Sequence, residues 1–115
     1  VHDILIRARE LISDPAHWVQ GSYTGDGPVT DPDTKCFCLA GAVDRAVIEK
    51  RGWLDKFTSD DQAILDAEFD PEGSAAITAL QKLVEPNFWR VSDFNDDPAT
   101  LHEDVLALLD KAIAQ

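Results

Sequence analysis

The stretch that decides the fold is Leu39-Ala40-Gly41-Ala42-Val43-Asp44-Arg45-Ala46-Val47-Ile48-Glu49-Lys50-Arg51-Gly52. Leu39, Ala42, Val43, Ala46 and Val47 recur at helical spacing and form one apolar stripe. Lys50 and Arg51 complement the negative end of a helix dipole, and Gly52 suits the left-handed position just past a helix. Gly41, inside the pattern, costs a helix about 1 kcal/mol relative to alanine and points to a backbone approached closely by a neighbour.

Outward from this segment the period recurs. Ile4, Leu5, Ala8, Leu11 and Ile12 form a stripe that stops at Asp14-Pro15. Ser59 and Gln62 read as a capping box ahead of Ile64, Leu65 and Phe69. Ala76, Ile77, Leu80, Leu83 and Val84 make a further stripe ending before Pro86. Thr100 and Glu103 read as a second capping box, ahead of Val105, Leu108, Leu109 and Ala112, with Leu106 and Ile113 beside them. No stretch alternates long enough for a sheet. The expectation is all-α: one domain over residues 1–115, a bundle of about five helices. Four of the six prolines follow an aspartate, at Asp14-Pro15, Asp31-Pro32, Asp70-Pro71 and Asp97-Pro98, and each pair is a turn or helix-start signal.

Two spans break the period. Residues 15–35 contain Gly21, Gly25, Gly27, Pro28 and Pro32, with room for a small hairpin within 18–30 around Thr24-Gly25-Asp26-Gly27. Residues 86–99 contain Phe88, Trp89, Phe94, Asn95 and Asp96. Loops of this length are uncommon in compact domains and often functional. Trp18, Tyr23, Phe88, Trp89 and Phe94 lie in or beside them. Such aromatics either pin a loop to the helical body, the favoured reading, or line a partner surface.

The charge narrows the function classes. The 115 residues hold 22 acidic and 10 basic side chains, net −12, with acids along the whole chain. Such a field attracts basic surfaces and cations, and lacks the positive footprint of a nucleic-acid binder. The longest apolar or small run, Cys36 to Val43, is far short of a membrane span. No basic region followed by an apolar one opens the chain, so no secretory signal is read; a start at Val1 with no methionine anywhere suits a trimmed initiator or leader. Cys36 and Cys38 are too close for an unstrained disulfide, and reduced thiols in a cytoplasmic protein are expected.

Several constellations could carry chemistry. Cys38, near a helix start, could act as a nucleophile with His102 or His17 as base and Asn95 or Asp96 as orienter. The segment has no family-specific protease signature, and cysteines in apolar surroundings are usually inert core residues. His102, at the start of the last helix, reads first as a packed, hydrogen-bonded side chain. The two cysteines and three histidines lack paired zinc spacings; Asp96 and Asp97 with Asn95, or Asp31 and Asp33, could hold calcium or magnesium loosely, but no calcium-loop pattern is present. No metal or cofactor is expected. No phosphate-binding glycine motif is present, although Lys35 and Arg90 could each meet a small anion.

Three segments carry a resemblance: Trp18-Val19-Gln20-Gly21, Phe37-Cys38-Leu39-Ala40-Gly41-Ala42, and Phe94-Asn95-Asp96 continuing through Val105 to Ile113. In these the chain resembles a family of small uncharacterised proteins from bacteria and their phages, a domain of unknown function. The resemblance runs nearly end to end and is least marked over residues 53–88. In the family, tryptophan more often stands where this chain has Phe37 and Phe94, so an indole N–H is missing at both positions. The resemblance implies a small all-helical domain and no established activity.

The function expected from these features is a small acidic protein-interaction module, of an inhibitor or anti-defence type, binding a basic partner. One alternative is a small cysteine-dependent hydrolase using Cys38 with a histidine; another is a small-ligand binder at the junction of the two loops. The candidate binding residues are Trp18, Gln20, Tyr23, Trp89, Phe94, Asn95 and Asp96. Gln20, Asn95 and Asp96 suit bridging of loop backbone to helix ends. In the sharper reading they converge with Trp18 and Cys38 on one concave site.

Overall fold

The computed structural model describes residues 1–55 and 60–115. Among these the chain forms α1 (His2–Leu11), a 3₁₀ turn (Pro15–His17), α2 (Leu39–Arg51), α3 (Asp60–Phe69), α4 (Pro71–Val84), α5 (Val91–Asp96) and α6 (His102–Ile113), with no strand. The helix α2 is the axis of the bundle and packs against α1, α3, α4 and α5. It is buried beyond its apolar stripe: every residue from Gly41 to Ile48 is inside, Asp44 and Arg45 included. It closes as its sequence reads, with Gly52 left-handed at φ 73°. The remaining core comes from Ile4, Leu5 and Ala8 of α1, Ala76 and Leu80 of α4, and Val105, Leu108 and Leu109 of α6.

The aspartate–proline pairs share one device. Asp14, Asp31, Asp70 and Asp97 each accept the backbone N–H two residues on, from Ala16, Asp33, Glu72 and Ala99, at 2.8–3.0 Å. Two of the pairs start helical turns, at Pro15 and Pro71; the other two turn loops.

The structure departs from the sequence reading in four places. The span 86–99 contains α5, six residues long, whose Val91 and Asn95 face inward. The hairpin does not form: Trp18 and Thr24 each bridge Phe37 instead. Residues 36–38 thread between two passes of the first loop, with Phe37 N–H donating to His17 O at 2.9 Å and Cys38 N–H to Tyr23 O at 3.1 Å. The last helix starts later than Thr100, and its cap is a carboxylate: Asp104 accepts the Leu101 N–H at 2.9 Å. On α3 the core takes Ala63 and Ala67, leaving Leu65 and Phe69 exposed. Ser59, the proposed cap of that helix, lies outside the described residues. No helix among the described residues is long and apolar enough to cross a membrane.

Candidate functional site

The junction of the two loops is organised by Asn95, which the short helix α5 turns inward to complete burial. Its Oδ1 accepts the Trp18 indole N–H at 2.6 Å and the Leu39 N–H, at the start of α2, at 3.0 Å. Its Nδ2 donates to Val19 O at 3.0 Å and to Asp96 Oδ1 at 2.9 Å. Gln20 donates across the same seam to the carbonyls of Asn95 at 2.9 Å and Asp97 at 3.0 Å. Asp96 also accepts the Gly21 N–H at 2.9 Å. One amide side chain thus joins the first loop, α5 and the N-terminus of α2, with every donor and acceptor used. Trp18 packs on His102 with ring centroids 5.8 Å apart, and His102 Nε2 reaches Ile12 O at 2.6 Å.

The junction is therefore a clamp. Gln20, Asn95 and Asp96 bridge loop backbone to helix ends as the sequence reading favours, and Trp18 joins them through its indole N–H. Beside them remains a depression of about 210 Å³ lined by Gly21, Ser22, Tyr23, Cys38, Ser92 and Asp96. Phe94 packs edge-on against Phe88 with centroids 5.4 Å apart, pinning the second loop. Trp89 stands apart from all of these and is 91% exposed.

Cys38 is the N-cap of α2, and its Sγ accepts the Gly41 N–H at 3.2 Å. Burial raises this thiol to about 11, and the Gly41 hydrogen bond only partly offsets it. No histidine is hydrogen-bonded to it among the described residues, and both cysteines are free thiols.

Sequence reasoning missed the second buried polar group. Asp44, 1% exposed, accepts the Tyr23 phenol O–H at Oδ2, while its Oδ1 has no partner. Burial drives its pKa up to about 8; the Tyr23 hydrogen bond opposes the rise and the charge of Glu68 adds to it. The Tyr23 phenol is also pushed far up, by burial and by Asp44. The available signal was an acid inside the helix that the apolar stripe from Leu39 to Val47 marks for the core, between Val43 and Arg45.

Charge divides the surface. Arg7 and Arg45 pair with Glu49, Arg9 with Asp110, Lys50 with Glu72 and Asp3, and Arg51 with Asp70 and Glu72. Hydrogen bonds from Lys50 and Arg51 hold Glu72 down at about 2. Arg45 also donates to the carbonyls of Val29, Asp31 and Pro32, tying the first loop to α2. These pairs consume basic side chains where α1, α2, α4 and α6 meet. Asp26, Asp33, Asp61, Glu68, Asp96 and Glu103 are exposed, with no ion-pair partner among the described residues.

A larger cleft, about 360 Å³, opens between α2, α3, α4 and α5, lined by Ala40, Glu68, Ser74, Thr78, Gln81 and Arg90 among others. No group of three or more histidine, cysteine or acidic side chains among the described residues is placed to hold a metal ion.

An all-helical domain tied together at a tryptophan–glutamine and asparagine–aspartate junction is the class these observations define. The chain belongs to the family of unknown function DUF6197, whose model matches residues 1–115. No curated protein and no solved structure matches it.

Proposed function

We propose that this protein is a small acidic interaction module that binds a partner protein through a basic face. The observation that carries the reading is the placement of charge: among the described residues most of the 22 acidic side chains reach the surface, while Asp44 lies in the core and Asp70 is covered by Arg51. Several of the 10 basic groups are meanwhile engaged in internal pairs. The exterior therefore carries a field that steers a positively charged surface toward it and repels nucleic acid. An inhibitor or anti-defence role is one form such a module takes. The free cysteines suit a reducing, cytoplasmic setting. The cysteine-hydrolase alternative gains no support from a buried thiol held in its protonated form.

Affinity capture from the native host, repeated at low and high salt, tests the proposal. Screening acts over ~8–10 Å, so the partner should be retained at low salt and lost steeply as salt rises. A complex indifferent to salt, or a captured partner with an acidic binding face, would count against it.

A further inference from the structure

We infer that the depression where α1, the first loop and α2 meet is a binding site for a small oxyanion, a phosphate or carboxylate group. The inference goes beyond the acidic-module reading and does not depend on it.

The expectation from sequence that Lys35 meets a small anion is the starting point. Lys35 lines a depression of about 250 Å³ together with Arg7 and Glu10 of α1, His17, and Arg45 and Glu49 of α2. Three of the 10 basic side chains thus converge on one concave place, against two acids. Other charged linings are balanced: Glu68 with Arg90 in the larger cleft, Asp104 with Lys111 in a groove beside Phe88. On a chain of net −12, a local surplus of cation is the unexpected feature.

The acids of the site do not use that surplus up. Glu49 serves two arginines, accepting Arg7 Nε at 2.7 Å and Arg45 Nε at 2.9 Å. Arg45, its side chain 5% exposed, is also fixed by the carbonyls of Val29, Asp31 and Pro32, so its charge is in place before a ligand arrives. Glu10 holds its cation loosely: it reaches Arg7 Nη1 at 3.4 Å with its side chain 60% exposed, and a surface pair of this kind contributes little. An incoming oxyanion can take Arg7 Nη1 while Glu10 turns to water. Lys35 has no ion-pair partner, and the His17 ring no hydrogen bond, among the described residues. Asp26, the acid that feels His17, is occupied by the backbone N–H groups of Lys35 and Cys36 at 3.0–3.1 Å.

The ligand therefore meets an unpaired ammonium, an imidazole N–H and the outer edge of a guanidinium, donors that suit negatively charged oxygens. Fields fade over ~8 Å at physiological salt, so these near charges outweigh the distant acids. About 250 Å³ lies just below the usual range for drug-sized ligands and fits one phosphate or carboxylate group.

The test titrates inorganic phosphate and, separately, acetate into the isotopically labelled full chain at pH 7, with chloride holding ionic strength at about 0.15 M. By NMR, at least one of them should move the Lys35 side-chain, His17 ring and Arg7 Nε signals along one saturating curve, and the tighter of the two identifies the oxyanion. Lys35→Ala should weaken binding roughly tenfold, the effect of losing one charge-assisted hydrogen bond, and Glu10→Gln should strengthen it about threefold. Lys82→Ala on α4 and Glu103→Gln on α6 make the same changes of net charge at a distance and should leave the affinity within about twofold. All four side chains are exposed, so the melting temperature should stay within about 2 °C of the parent. No saturation with either anion, or K82A weakening binding as much as K35A, would overturn the site while leaving the acidic module standing.

Discussion

Asn95 and Asp44 are both polar, both fully inside, and both bear on α2, yet the structure treats them in opposite ways. Asn95 uses its two donors and both acceptor positions to join three segments. Asp44 receives one hydrogen bond from Tyr23, has no cation beside it among the described residues, and leaves one oxygen bare. A satisfied buried network rigidifies, whereas a half-satisfied one remains responsive to charge and protonation. The loop junction is held by a fully satisfied polar network, and the less conspicuous acid is the buried group left incompletely paired.

The comparison breaks first at Asn95. Asn95→Ala would leave the Leu39 N–H, the Trp18 indole N–H and Val19 O without partners. At roughly 1–3 kcal/mol for each unsatisfied group, a loss of about 4–5 kcal/mol in urea unfolding is expected. A loss below 1 kcal/mol would mean that the junction is not what holds the loops.

Asp44 should act in the other direction. Its folded-state pKa, about 8, lies above the ordinary carboxylate value, so the folded protein holds a proton that the unfolded chain releases. Stability from this group is therefore intact at low pH and falls as pH rises from ~4 toward ~8. Asp44→Asn removes that dependence. The stability difference between variant and parent should shift in the variant's favour by on the order of 4 kcal/mol between pH 4 and pH 7. An unchanged difference would show that Asp44 is ionised at neutral pH.

A smaller effect is expected where the two regions meet. A Cβ on Gly41 would stand 2.5 Å from Tyr23 O, backbone that cannot swing away. Gly41→Ala should cost roughly 1–3 kcal/mol, as overpacking usually does, net of its helix-propensity gain. The least change is expected at the thiols: Cys38 should resist alkylation at neutral pH until the protein unfolds, while the less buried Cys36 reacts sooner. Rapid labelling of Cys38 in the folded state would reopen the nucleophile reading.

Much of this architecture was legible before any coordinates. The stripe through Leu39 and Val47, the stop at Gly52 and the four aspartate–proline pairs each express a local rule that tertiary packing left intact. The bridging role of Gln20, Asn95 and Asp96 was legible too, because short polar side chains between loops have few other uses. Less legible were features set by distant partners. The helix α5 is too short for its period to stand out from a loop. The hairpin failed because residues 36–38 offered the first loop a better backbone partner than itself. Asp44 and Arg45 lie outside the apolar stripe of α2, and only the packing of neighbours all round that helix puts them inside. The exposed Leu65 and Phe69 read as core because α3 offers apolar residues on both faces and its neighbours cover only the alanines.

Following the Asp44 side-chain carboxyl carbon by NMR across the pH range tests the account most directly. A titration midpoint near 8 is expected. A midpoint near the ordinary carboxylate value of ~4 would contradict it.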